Sequence, residues 1–182
     1  QPFTAALPAL SIEGGEVVTG EREAYRAEQQ LQIAVLTDFC NECGNCVTVC
    51  PTAGQPYRDK PRLYLDRAEF EAQEKNAFML FDDGSVEARY GGETHRLSVD
   101  GLVEYRSPAF GAQLDPETLE LTGATVDGGG AGPGLWLGPA LDMRMLGRGL
   151  AGSMGHLPRA RRVSRVAPRI GPPGSRGGDG AA

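Results

Sequence analysis

The four cysteines are the residues of this sequence best suited to chemistry. They stand at Cys40, Cys43, Cys46 and Cys50, and Pro51 directly follows the last one. Their spacing is C-x2-C-x2-C-x3-C-P, a run typical of thiolates that bind the irons of a 4Fe-4S cluster. We therefore predict a 4Fe-4S cluster as the cofactor, with all four cysteines as its cofactor-binding and metal-ligating residues.

The spacing has a mechanical reason. Thiolates two residues apart let one loop curl over three corners of a cube, and Gly44 allows the left-handed backbone that such a curl needs. Zinc is the main competitor, but structural zinc sites usually combine cysteine or histidine pairs from separate segments. A disulfide framework would spread its cysteines along the chain to join distant loops. Metal ligation in a reducing cytoplasm is the interpretation we favour over these and over unliganded thiols.

The role of Cys50 has two explanations. In ferredoxins with two clusters, the fourth cysteine of such a run binds the other cluster. This sequence has no fifth cysteine. Cys50 therefore either completes one cube with the other three or serves a second motif that lies outside this sequence.

Charge and hydropathy exclude several functional classes. The 182 residues include 18 Lys and Arg against 24 Asp and Glu, and an acidic chain lacks the cations that nucleic-acid binding requires. No apolar run approaches the roughly 20 residues of a membrane-spanning helix. We expect no nucleic acid as a partner, no membrane span and a cytoplasmic location.

The elements around the cysteines are predicted from short-range patterns. Alternating polar and apolar residues on both sides of Gly91-Gly92 predict a β-hairpin. Asp115 is expected to cap a short helix that runs to Leu121. The other elements expected are strands at Glu16–Thr19, Leu31–Leu36, Arg62–Leu65 and Ala77–Phe81, helices at Arg67–Asn76 and Leu137–Leu150, a polar turn or linker at Glu21–Gln30, and a glycine linker at Asp127–Gly134.

These patterns predict an α+β fold with a ferredoxin-like 4Fe-4S loop, a small β-rich region and a disordered tail. We divide the chain into 1–30, a linker or the remnant of an upstream domain; 31–66, the ferredoxin-type region; 67–150, the β-rich region with one C-terminal helix; and 151–182, a tail rich in Arg, Gly and Pro. His95 and His156 are expected to be packed or exposed residues rather than metal ligands.

A resemblance adds to this interpretation. The stretch Asp38–Cys46, continuing through Cys50-Pro51 to Pro56–Lys60, resembles the C-terminal ferredoxin-like portion of the selenate reductase iron–sulfur subunit family. That family is similar to the small subunit of glutamate synthase. The resemblance implies a large flavoprotein that binds FAD and NADPH upstream and passes electrons through cysteine-bound clusters. It also implies an upstream cluster motif, and on that ground we favour a second cluster as the partner of Cys50.

The sequence departs from that family by lacking nucleotide-binding signatures. Pro133 stands where the last glycine of a G-x-G-x-x-G run would fall, and no G-x-x-x-x-G-K-[ST] run occurs. FAD and NADPH are therefore expected only in an upstream part or in a partner, which would be a flavoprotein domain or a redox partner subunit. No catalytic residue is predicted in this chain.

The predicted function is that of an electron-transfer module of a flavin- and NADPH-dependent oxidoreductase. Two alternatives remain: a protein-interaction module in which the cluster is structural, and a truncated fragment without independent function. Arg58, Lys60 and Arg62 follow the cysteines, where they would either tune the cluster and dock a partner or form a solvated basic loop.

Overall fold

The computed structural model describes residues 3–27, 33–50, 54–127, 135–153 and 159–160. The strands are β1 (Phe3–Glu13), β2 (Glu16–Ala27), β3 (Val35–Leu36), β4 (Arg62–Leu63), β5 (Ala77–Leu80), β6 (Val86–Tyr90), β7 (Glu93–Asp100), β8 (Leu102–Arg106), β9 (Phe110–Leu114) and β10 (Leu121–Val126). The helices are α1 (Asn45–Val49), α2 (Pro56–Asp59), α3 (Arg67–Glu71) and α4 (Gly138–Ser153), and a 3₁₀ turn spans Thr37–Phe39. This mixture of helices and strands confirms the α+β class.

Most of the strands form one eight-stranded sheet in the order β10-β9-β8-β7-β6-β5-β4-β3. Neighbouring strands from β5 to β10 are antiparallel, whereas β3, β4 and β5 run parallel to one another. Parallel strands need a crossover connection rather than a tight turn. Such a crossover joins β3 and β4 at one edge of the sheet. It contains the cysteines and the helices α1 and α2.

The N-terminal segment was predicted as a linker with one strand at Glu16–Thr19, and that strand is confirmed as the start of β2, but the strands extend much further. β1 and β2 form a long antiparallel hairpin that turns at Gly14-Gly15, with register from Phe3↔Ala27 to Glu13↔Glu16. Strand pairing provides hydrogen bonds for the backbone N–H and C=O groups whatever the side chains are. A regular strand can therefore form in β2 although most of its side chains are polar and exposed. A register shift between Pro8 and Leu10 accommodates the proline, which cannot donate to the ladder.

The hairpin predicted around Gly91-Gly92 is confirmed as β6 and β7. Both glycines have positive φ, at 61° and 79°, and Tyr90 pairs with Glu93 across the turn. A two-residue turn with positive φ at both positions matches the twist of the flanking strands. The predicted helix near the C-terminus is also confirmed, as α4.

Two helix predictions need correction. The carboxylate of Asp115 accepts hydrogen bonds from the N–H groups of Glu117 and Thr118 at 2.8 and 2.7 Å, but the segment is a turn that leads into β10. The same side-chain hydrogen bonds cap helices and close turns, so the aspartate alone does not choose between them. Helix α3 ends at Glu71 rather than at Asn76, whose φ of 57° is left-handed and non-helical.

The main core lies between one face of the sheet, the β1–β2 hairpin and α4. Its largest fully buried side chains are those of Leu7, Leu10, Val86, Leu97, Tyr105, Leu114, Leu137, Leu141 and Met143. A smaller cluster of Tyr64, Phe70, Ala77, Met79, Phe81 and Ala160 forms separately. Alternation along β5 explains both clusters, because Phe78 points into the first while Ala77 and Met79 point into the second.

Order extends past the predicted boundary at residue 150. α4 runs to Ser153, and Ala160 donates its N–H to the carbonyl of Leu80 at 2.9 Å. The remainder of the predicted tail, the glycine linker at 128–134 and the start of the predicted strand at 31–32 lie outside the described residues. None of the helices in the described ranges is both long and apolar enough to cross a membrane.

Candidate metal centre

The segment that carries the cysteines is tied to the sheet at its beginning. Val35 donates its N–H to the carbonyl of Pro61 at 2.9 Å, and the Thr37 hydroxyl donates to the carbonyl of Leu63 at 2.8 Å. Cys40 follows the 3₁₀ turn and donates its N–H to the carbonyl of Thr37 at 3.0 Å. These bonds fix the start of the cysteine loop relative to β4.

The loop then curls through left-handed backbone. Glu42 has a φ of 53° and Gly44 a φ of 79°, and Gly44 is the residue from which α1 begins. The Asn41 side-chain oxygen accepts a hydrogen bond from the N–H of Cys43 at 3.3 Å inside this curl. The conformation expected for Gly44 is thereby confirmed. A Cβ atom at Gly44 would meet no atom within 4 Å, so the glycine serves the backbone and not a close contact.

Helix α1 separates the last two cysteines by one turn. Cys46 lies in its first turn, and Cys50 ends it by donating its N–H to the carbonyl of Cys46 at 3.0 Å. At Cys50 the backbone is already extended, with φ of −70° and ψ of 126°. Both roles proposed for Cys50 remain compatible with this geometry.

The donor set is four thiols carried on one short segment, which suits an iron–sulfur cluster. Cys43 is exposed, and the other three cysteines are half-buried on the same loop. Within the described ranges, no three His, Cys, Asp or Glu residues are arranged to hold one metal ion. Zinc requires its thiolates to converge at about 2.3 Å from one centre, whereas a cube offers each thiolate a separate iron. That these four residues are the ligands remains a proposal.

The cysteine loop has no core of its own. Neither the 3₁₀ turn nor α1 contains a buried residue. The side chains of Phe39 and Val49 are 79% and 81% exposed, the largest fractions among the exposed large apolar residues. Apolar surface beside the thiols is thus left uncovered by the described part of the chain.

The basic residues after the loop do not act as one group. Arg62 donates to the side chain of Gln73 at 3.0 Å and to the carbonyl of Lys75 at 3.3 Å, which ties it to the body of the fold. Arg58 is exposed on α2, which contacts α1. Of these three cations, Arg58 is thus the exposed one beside the cysteine segment.

The histidine of β7 is packed, as predicted. His95 Nδ1 lies 2.5 Å from the hydroxyl of Tyr105, and its ring stands edge-on to that of Tyr90 at 5.0 Å. Burial lowers the pKa of His95, which therefore remains neutral near pH 7. His156 lies outside the described residues.

One polar contact was missed from the sequence. The Tyr25 hydroxyl donates to the carboxylate of Asp142, and it lies 3.8 Å from the sulfur of Met145. This contact forms because the end of β2 packs beside α4, and no local pattern around either residue announces it. Burial raises the pKa of Asp142, and burial together with the neighbouring carboxylate raises the pKa of Tyr25.

Comparisons with known proteins bear on the cysteine segment. The 4Fe-4S binding domain family matches residues 33–53. Two curated relatives, each named "Putative oxidoreductase YgfK", come from Escherichia coli K12 and Escherichia coli O157:H7 and are 29% and 32% identical over 80 residues. That stretch is 44% of this chain but 8% of either relative. No solved structure matches the chain significantly. The family match confirms a 4Fe-4S cluster as the cofactor, in a chain similar to a small part of much longer proteins.

Proposed function

We propose that this chain relays single electrons through a 4Fe-4S cluster held by Cys40, Cys43 and Cys46, and that Cys50 serves a second cluster. The observation that carries the proposal is the cysteine loop itself, curled through left-handed backbone at Gly44 within the segment similar to 4Fe-4S binding domains. Bound there, the cluster supplies one-electron chemistry.

The chain's own contribution is to hold and expose this loop. Hydrogen bonds from Val35 and Thr37 to the carbonyls of Pro61 and Leu63 anchor it against the sheet edge. The exposure of Cys43 leaves that corner of the loop open to a donor or acceptor of electrons. Charge and solvent exposure around the thiolates set the potential of such a cluster.

The wider setting that we propose is a flavin- and NADPH-dependent oxidoreductase like the selenate reductase family. The relatives carry an oxidoreductase name, and this chain spans 8% of their length. FAD and NADPH would then bind in a longer polypeptide or in a flavoprotein partner. A cytoplasmic setting suits four closely spaced thiols, because a reducing environment keeps them available for iron.

A second candidate function is supported by one observation. Because the 3₁₀ turn and α1 bury no side chain, a cluster would be the only packed centre of this loop among the described residues. The cluster would then hold a protein-interaction surface together, with Phe39 and Val49 exposed on it.

A redox titration separates the two functions. The full chain, reconstituted anaerobically, is titrated with dithionite and then reoxidised while its visible and electron paramagnetic resonance spectra are followed. Electron relay predicts one reversible one-electron step, which Cys43→Ser removes and the remote Ser98→Ala leaves intact. Loss of the cluster upon reduction, without recovery on reoxidation, would favour the structural role.

A further inference from the structure

The cysteine segment, residues 37–50, presents uncovered apolar side chains next to acidic ones. Phe39 is 79% exposed and Val49 is 81% exposed. Asp38 and Glu42 are exposed as well, and neither has an ion-pair partner in the described ranges. The segment contains no Lys or Arg, and thiolates that bind iron add further negative charge. Its surface is therefore both apolar and anionic.

Ala160 continues the line of β4 along one side of β5. Three backbone N–H groups donate to carbonyls on that side at 2.9 Å each: those of Arg62 to Asn76, Tyr64 to Phe78 and Ala160 to Leu80. Carbonyls two residues apart on a strand are about 7 Å apart, so Ala160 lies about 7 Å beyond Tyr64. Both residues are buried in the smaller core cluster, which fixes this position.

This position is at the same end of the sheet as the cysteine segment. β3 is parallel to β4, and β4 and the bridge at Ala160 are parallel to β5, so their carboxyl ends meet at one edge. The cysteine segment leaves β3 at that edge, where the Thr37 hydroxyl donates to the carbonyl of Leu63 at 2.8 Å. The chain beyond Ala160 therefore starts beside the cysteine segment.

The residues that follow Ala160 complement that surface in charge and hydropathy. The stretch 161–170 contains no acid and four arginines, which are Arg161, Arg162, Arg165 and Arg169. Apolar residues are interspersed with them, namely Val163, Val166 and Ile170. Ten residues can extend over about 33 Å, which is enough to reach the cysteine segment from Ala160.

We propose that residues 161–170 dock onto the cysteine segment of the same chain. The arginines pair with Asp38 and Glu42, and the interspersed apolar side chains cover Phe39 and Val49. The docking itself does not depend on the proposed electron relay. Its consequence does rest on that function, because cations held beside a cluster raise its reduction potential.

The first test follows tryptic cleavage within 161–170 by mass spectrometry, using the reconstituted full chain at low ionic strength. The double change Asp38→Asn and Glu42→Gln should speed this cleavage by about threefold or more, because two exposed ion pairs are lost. The control Glu93→Gln with Asp100→Asn removes the same charge from exposed positions on β7 and should leave the rate unchanged. At about 0.5 M NaCl the acid variant and the wild type should be cut at the same rate, because salt screens exposed charges.

The second readout is the reduction potential of the cluster. Arg161→Gln with Arg162→Gln should shift the potential to lower values, because the reduced cluster loses two neighbouring cations. Arg22→Gln with Arg148→Gln removes the same charge from β2 and α4 and should shift the potential less.

Two results would overturn the proposal. One is an equal tryptic rate at low ionic strength in the wild type and in the chain with Asp38→Asn and Glu42→Gln. The other is an equal shift of the potential in the two arginine variants. The tryptic result does not depend on electron transfer, so it decides the docking even if the cluster shows no reversible redox step.

Discussion

At Gly44 the backbone φ of 79° allows the cysteine loop to curl before α1 begins. An L-residue in this conformation costs about 1–2 kcal/mol, and open space around Gly44 means that an added methyl group would meet no other obstacle. We predict that Gly44→Ala shortens the lifetime of the cluster in the presence of an iron chelator, followed by visible absorbance.

A matched control is available in the turn between β5 and β6. Gly84 has a φ of 78° and equally open surroundings, so Gly84→Ala imposes the same backbone strain away from the thiols. This variant should lower thermal stability without shortening the lifetime of the cluster. Equal cluster lifetimes in the two variants would show that the curl at Gly44 is not needed.

Cys50 provides the second prediction at the scale of single residues. It stands one helical turn beyond Cys46, and the family resemblance implies a second cluster for it to serve. We therefore predict that Cys50→Ser changes the iron content and spectrum of the isolated chain little, whereas Cys43→Ser abolishes them. Conversion of a stable four-iron signal to a three-iron signal by Cys50→Ser would instead show that all four cysteines complete one cube.

Single residues were predictable where their function depends on near neighbours. The cysteine spacing and Gly44 are local features, and the sequence suffices to find them. The pairing of Tyr25 with Asp142 depends on how two elements 117 residues apart pack together, which no short pattern encodes.

Among the elements, the β1–β2 hairpin contributes more than its polar sequence suggests. Leu10 is 2% exposed, packs in the main core and exchanges backbone hydrogen bonds with Leu135. We predict that Leu10→Ala lowers the free energy of unfolding in urea by about 2–5 kcal/mol, since it empties a filled core position.

Val18→Ala is the control for this prediction, because Val18 belongs to the same hairpin but is 39% exposed. Its effect should be well below that of Leu10→Ala. A loss below about 0.5 kcal/mol for Leu10→Ala, the size of an ordinary surface substitution, would mean that the hairpin is a detachable linker, as the sequence had suggested.

The strands differ in how clearly the sequence pattern predicts them. β6 and β7 alternate around two glycines, which is a strong hairpin signal. β8 also alternates, with Val103 and Tyr105 buried between partly exposed neighbours. No strand was predicted there, although this alternation is visible in the sequence. β1 was not predictable in the same way, because Pro8 and the many small residues of this strand weaken the alternation of polar and apolar residues. Its buried side exists only because the strand packs against α4 and the sheet.

For the molecule as a whole, the cysteine segment at 37–50 and the rest of the fold, called the body here, have different sources of stability. The body contains the buried core, whereas the 3₁₀ turn and α1 of the cysteine segment contain no buried residue. We predict that removing iron with a chelator leaves the thermal unfolding midpoint of the body nearly unchanged, as followed by far-ultraviolet circular dichroism. Loss of strand signal together with the visible absorbance would contradict this separation.

The central claim is that the cysteine run binds iron and sulfide rather than zinc, and metal analysis tests it most directly. The full chain is reconstituted anaerobically with iron, sulfide and an equal concentration of zinc, then desalted and analysed for all three. The spacing of the cysteines and the curl at Gly44 predict a brown protein with iron and acid-labile sulfide in nearly equal amounts and little zinc. Stoichiometric zinc without sulfide would contradict the account.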